Sequence, residues 1–129
     1  MSQGAAEPEV TRVDQANINR FNRLNQQLHE FEDELKANKD ELVNLEDASN
    51  DLMLVDDDDT VKQLIGEAFI EMNAKTSQDL VEKCKEDVQK QADRLSDQIS
   101  DIKSKMQELK TVLYGKFGSA INLEEEPAS

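Results

Sequence analysis

The side chains with chemical potential in this chain are one histidine, His29, one cysteine, Cys84, and a run of four aspartates at 56–59 within a surplus of carboxylates. A calcium loop is the first possibility for the aspartates. Asp56, Asp58 and Thr60 fall at positions 1, 3 and 5 of a twelve-residue loop, with Glu67 at position 12. Position 6, where such a loop needs glycine for its sharp turn, holds Val61, and the flanks are strand-like. The run reads better as a solvated turn that discourages edge-to-edge aggregation. With a single histidine and a single cysteine, neither a zinc site nor a nucleophile and its base can be built within the chain. No glycine-rich phosphate loop occurs. The remaining carboxylates recur at helical spacing opposite an apolar seam, which leaves paired-acid catalysis no cleft. The expectation is no catalytic residue, no metal and no cofactor, in a protein that acts by gripping other chains.

Composition narrows the partners. Only 36% of the 129 residues are hydrophobic and 4% aromatic, with no Trp, while 34% are charged, so an ordinary compact core is not expected. Four Gly and two Pro in such a chain fit long helices and coiled coils. A net charge of −14 removes the basic face that nucleic acid or an anionic membrane surface requires. Partners should be basic, or held by apolar contact. No run of 18 apolar residues could span a bilayer. The first residues lack an apolar signal region, and Cys84 alone forms no intramolecular disulfide, so the expected setting is reducing and cytoplasmic.

The elements that must position any site are helices. With Phe21, Leu28, Leu35, Leu42 and Ser49 at position a, and Leu24, Phe31, Asn38, Leu45 and Leu52 at position d, eight of ten seam positions are apolar. Neither Gly nor Pro interrupts this stretch, so it predicts a helix of some 40 residues, roughly 60 Å long. A second seam runs through Val81, Val88, Leu95, Ile102 and Leu109 on one register and Ala92, Ile99, Met106 and Leu113 on the other. Thr76 or Ser77 is its expected N-cap, and Gly115 and Gly118 are its expected stop signals near Phe117. Two helices of matched length joined by a short segment should fold back antiparallel. Asn38, polar at a d position, reads as a register device.

Between the helices, Leu52-Met53-Leu54-Val55 is a short apolar run, the aspartates at 56–59 form a turn, and residues 61–72 return with Val61, Leu64, Ile65, Phe69 and Ile70 around Gly66. Such runs bounded by turn residues read as strands. Two strands alone are marginal in water, and their open edges invite pairing with other subunits. The predicted fold is mainly α, a long antiparallel two-helix coiled coil with one β-hairpin at the bend. Its expected parts are a disordered arm at 1–10, a coiled-coil hairpin at 11–117 with strands at about 51–72, and an acidic tail at 118–129.

The order helix, Leu45-Glu46-Asp47-Ala48, Leu52-Met53-Leu54, acidic cluster, Ile65-Gly66-Glu67-Ala68-Phe69-Ile70, helix, then Leu113-Tyr114-Gly115-Lys116-Phe117-Gly118-Ser119-Ala120-Ile121-Asn122-Leu123-Glu124 resembles the beta-type subunits of prefoldin over residues 11 to 125. Beta-type subunits carry one hairpin between their helices where alpha-type subunits carry two, and the joining segment has room for one. The resemblance implies a hetero-hexameric co-chaperone that needs no nucleotide, with two alpha-type and three further beta-type subunits as this chain's partners. In that assembly the hairpins build a double β-barrel platform. Coiled coils hang from it, and their tips hold non-native actin and tubulin and pass them to the cytosolic chaperonin. The arm at 1–10 matches no family pattern and is assigned no role.

With both termini at the end away from the strands, Val13, Ile18, Phe21, Leu113, Tyr114, Phe117, Ile121 and Leu123 are the candidate client-binding tip. The plainer reading is that Phe21, Leu113 and Phe117 only close the end of the coil. Leu52, Leu54, Ile65, Phe69 and Ile70 are the candidate assembly residues, the alternative being packing within their own hairpin. A tethering coiled-coil adaptor would account for the heptads and the charge, but it predicts a polar loop at the bend rather than strands.

Overall fold

The computed structural model describes residues 9–121 and 123. The expected arm at 1–10 therefore lies outside the described residues except for Glu9 and Val10, as does the acidic tail at Asn122 and beyond Leu123. Helix α1 spans Arg12–Leu52, strands β1 and β2 span Thr60–Ile65 and Ala68–Asn73, and helix α2 spans Ala74–Phe117, followed by a single 3-10 turn at Gly118–Ala120. Two long helices with one antiparallel two-stranded hairpin between them is the fold that the heptads and the joining segment predict.

The described residues form two compact units. The terminal unit takes the chain up to Glu34 and from Leu95 onward, and the hairpin unit takes 35–94. In the terminal unit the seam is apolar throughout. Phe21 and Leu28 of α1 and Leu95, Ile99, Ile102, Met106, Leu109 and Leu113 of α2 are buried. Each such side chain contributes on the order of 1.5 to 3 kcal/mol by leaving water. In the hairpin unit the seam changes character: Val81 and Ala92 are buried beside two buried serines, Ser49 and Ser77, while Leu35, Leu42 and Leu45 are half-buried. Asn38 is half-buried, and its amide nitrogen finds no hydrogen-bond partner among the described residues.

The strands differ in place from the sequence expectation. Residues 52–55 are not a strand. Helix α1 continues to Leu52 and then tightens, with Leu54 N donating to Asp51 O and Val55 N to Leu52 O, both at 3.2 Å. The whole hairpin lies within 60–73, and its reversal is the two-residue Gly66-Glu67 turn, not the aspartate run. Gly66 sits at φ 62°, the first-position conformation that a two-residue II′-type hairpin turn reserves for glycine. Thr60 pairs with Asn73, Gln63 with Ile70 and Leu64 with Phe69.

Helix boundaries differ as well. The N-cap of α2 is Asn73, whose Oδ1 accepts from Thr76 N at 2.8 Å, in place of Thr76 or Ser77. Strand β2 runs into α2 without a linker, so the last strand residue is also the cap. At the other end α2 passes through Gly115 and stops at Phe117, and only Gly118, at φ 56°, turns the chain out of the helix.

Candidate functional site

In the terminal unit, Thr11 and Asp14 form a reciprocal cap on α1. Asp14 N donates to Thr11 Oγ1 at 3.1 Å and Thr11 N to Asp14 Oδ2 at 2.9 Å, a capping box closed by aspartate. Asp14 also takes an ion pair from Lys116 of α2 and is 7% exposed. The Lys116 ammonium, followed by the Thr11 N–H, holds the Asp14 carboxyl below the ordinary carboxylate value despite its partial burial. Lys116 Nζ lies 5.4 Å from the Phe117 ring centroid, within cation–π range. After the reversal at Gly118, the Tyr114 hydroxyl accepts from Leu123 N at 3.0 Å and faces Leu123 O at 3.4 Å, so the descending segment is fastened to the helix it has just left.

These contacts sort the eight expected tip residues. Phe21, Leu113 and Leu123 are buried, the last after the reversal. Ile18, Phe117 and Ile121 are half-buried, and Val13 and Tyr114 are exposed. Ile18, Phe117 and Ile121 meet Val10 and Ala120 around an apolar cleft of about 170 Å³. That is smaller than the pockets that hold drug-sized ligands and suits an aliphatic side chain. Val10 and Ala120 are not among the eight expected tip residues. An apolar residue directly before the Thr11 cap was the available signal for Val10; Ala120 had none.

In the hairpin unit, alternation divides the three expected assembly residues that lie on strands between two faces. Phe69 stands across from Leu64 on the outward face, 70% and 53% exposed, while Ile65 and Ile70 lie on the opposite face, both a little under half exposed. Leu64 is an exposed residue that the sequence reading did not select, although its pairing partner Phe69 was selected. Leu54 is 87% exposed with Met53 beside it, and Leu52 is half-buried at the end of α1. The sheet has only two strands, so among the described residues each strand has one unpaired edge.

The calcium reading does not fit this geometry. The carbonyls of Asp57 and Asp59 accept from Lys75 N at 3.1 Å and Ala74 N at 2.8 Å, so the aspartate run caps the start of α2 through its backbone. Thr60 opens β1 and Glu67 sits in the turn beyond it, roughly 17 Å away at the rise of a strand. Among the described residues no three His, Cys, Asp or Glu side chains converge as metal ligands would. Cys84 is an exposed free thiol on α2, and His29 is half-buried on α1. No helix of the described residues is long and apolar enough to cross a membrane.

Comparison with known proteins decides the family. The family described as "Prefoldin subunit" matches residues 15–120. The chain belongs to the prefoldin subunit family. "Probable prefoldin subunit 4" of Dictyostelium discoideum is 41% identical over 119 residues, covering 92% of this chain and 90% of that protein. "Prefoldin subunit 4" of Homo sapiens is 39% identical over 128 residues, covering 98% and 96%. The Saccharomyces cerevisiae subunit 4 is 35% identical over 116 residues, covering 90% of each. The beta-type resemblance stands, and these three relatives all carry the name subunit 4. The fold matches the crystal structure of the prefoldin beta subunit from Thermococcus strain KS-1 with a TM-score of 0.74 at 16% identity, over 85% of this chain and 96% of that one. Membership makes the chain a chaperone component built to assemble with other prefoldin subunits.

Proposed function

We propose that this chain is a beta-type subunit of a cytoplasmic hetero-hexamer of two alpha-type and four beta-type prefoldin subunits, which receives non-native actin and tubulin and delivers them to the cytosolic chaperonin without nucleotide. One observation carries the reading: a two-stranded sheet with open edges and an outward Leu64–Phe69 pair in water. Such an arrangement is unfinished in a lone subunit, because exposed apolar strands with free backbone donors and acceptors gain from pairing with another chain. Ile65, Ile70, Leu54 and Leu52 extend the apolar material available to neighbouring subunits.

Client binding falls to the terminal unit. Phe21, Leu113 and Leu123 support it from beneath, and Val13, Ile18, Tyr114, Phe117 and Ile121 offer surface together with Val10 and Ala120. One aliphatic client side chain in the cleft gains about 1 to 2 kcal/mol, which is weak alone and useful when several subunits bind one client. Weak contact on each arm also permits release to the chaperonin without an energy source.

The test is co-expression of Phe69→Asp with the remaining prefoldin subunits. The variant chain is expected to keep its helicity and to be missing from the purified complex. Recovery at the same stoichiometry as wild type removes the platform reading.

A further inference from the structure

The inner face of the hairpin contains one residue of the wrong type for its place. Val61, Gln63 and Ile65 share that face with their partners Met72, Ile70 and Ala68, so Gln63 is the single polar side chain among five apolar ones. Its Oε1 accepts from Ser77 Oγ at 2.6 Å, and Ser77, in the first turn of α2, is 1% exposed. Further along the same unit a second polar layer replaces the apolar seam. Ser49, also 1% exposed, donates to Glu82 Oε1 at 2.9 Å and accepts from Gln78 Nε2 at 2.9 Å. Lys85 closes that layer on Glu46 Oε2 at 2.6 Å.

Stability does not require these choices. The two serines are buried and their partners half-buried or exposed, and replacing both members of such a pair by apolar groups of similar shape can be neutral or stabilising, since the pair must first be stripped of water. A directional bond does what apolar packing cannot: it accepts one geometry and rejects its neighbours, whereas Val or Met surfaces slide over one another. The hairpin has reason to need that. It joins α2 through the single Asn73-Ala74 peptide, and the backbone bonds from Ala74 N and Lys75 N to Asp59 O and Asp57 O fasten only the base of the strands. The Gln63–Ser77 bond lies midway up β1 and ties the sheet to the helix at a second height.

We infer that Gln63 and Ser77, backed by the Ser49–Gln78–Glu82 layer, are positioning residues that aim the hairpin edges at neighbouring prefoldin subunits, at no gain in the stability of the chain itself. The inference rests on the reading that the hairpin is the assembly surface. Its consequence is a separation of two quantities that a merely structural pair would move together, the melting temperature of the subunit and its share of the complex.

The experiment is competitive assembly. Full-length wild type and the Gln63→Met/Ser77→Ala double variant are supplied in equal amounts to the remaining subunits, and native mass spectrometry reads the fraction of each in the complex. The variant is expected to melt within about 3 °C of wild type or above it. Its share of the complex should fall about tenfold, the fold-change equivalent of one hydrogen bond. Gln63→Glu, which keeps an acceptor for Ser77, should compete like wild type. Equal incorporation of the double variant overturns the inference. So does a fall in melting temperature that tracks the loss of incorporation, or failure of Gln63→Glu to rescue. Phe69→Asp run alongside separates the two levels: if it is excluded while the double variant assembles normally, only the positioning role fails, and if it too assembles normally the platform reading fails with it. Should that double variant not fold, Gln63→Leu/Ser77→Ala, which again replaces both partners, carries the same outcomes.

Discussion

The Tyr114 hydroxyl meets both backbone groups of Leu123, the amide at 3.0 Å and the carbonyl at 3.4 Å, across the reversal that Gly118 makes at the end of α2. One side-chain oxygen thus partners both backbone groups of a residue that lies outside any helix or strand. Tyr114→Phe leaves the ring and removes both bonds. The variant is expected to lose about 1 kcal/mol of stability, the net worth of a typical hydrogen bond. Hydrogen exchange should show the loss concentrated at the amide of Leu123. Unchanged protection there would mean that burial of the Leu123 side chain alone holds the segment.

Asp14 gives the acid side of stability a specific cause. Lys116 and the Thr11 N–H favour its charged form, so the folded carboxyl titrates below its unfolded value of 3.8. The unfolded chain then binds the proton more readily. This group's contribution is complete above the unfolded value and is lost as pH falls through the depressed folded one. Urea unfolding of Asp14→Asn should show a shallower loss than wild type as pH falls below the unfolded value of 3.8. Lys85 acts in the opposite sense: Glu46 raises it above 10.5, so its contribution is present below that value and disappears as pH rises through the raised one.

Gly115 and Gly118 should respond to alanine with opposite signs. A Cβ at Gly115 meets nothing within 4 Å, and the residue is helical, so Gly115→Ala should stabilise the chain by about 0.5 to 1 kcal/mol. Gly118 also has open space, but its φ of 56° is costly for any side chain, and Gly118→Ala should destabilise by about 1 kcal/mol. Thermal melts of the two variants beside wild type check both signs.

The cleft around Ile121 is testable without touching the seam. Ile121 is half-buried and Ile18, Phe117, Val10 and Ala120 are its neighbours there, so Ile121→Asp places a charge where an apolar client side chain would sit. The assembled complex carrying this variant should suppress aggregation of denatured actin less effectively, while its subunit composition stays normal. Equal suppression at equal concentration would move client binding elsewhere on the subunit.

Local pattern was enough for the helices. Heptad spacing through Phe21, Leu28, Leu35 and Leu42, and through Val81, Leu95, Ile102 and Leu109, is a one-dimensional property, and a helix reads it out within a few turns of each residue. Seam membership also foretold that Phe21 and Leu113 would be buried, since the period that makes the helix amphipathic chooses which residues face its partner. The presence of a hairpin was legible from β-branched and aromatic residues around Gly66, and the family from the string between Leu113 and Glu124.

Strand boundaries, caps and the Gln63–Ser77 bond were decided by which groups the folded chain brings together, not by spacing along a seam. The apolar run at 52–55 had strand composition, yet α1 extended into it because the pairing that makes a strand was taken by residues 60–65 and 68–73. Ser77 looked like a cap until Asn73 ended a strand directly against the helix and Gln63 claimed the serine hydroxyl. Leu123 became a buried residue only because Gly118 turned the chain back to the Tyr114 hydroxyl. Periodicity is written along one helix face and can be read without folding the chain, whereas pairing, capping and burial after a reversal depend on which of several competing groups the fold places within bonding distance.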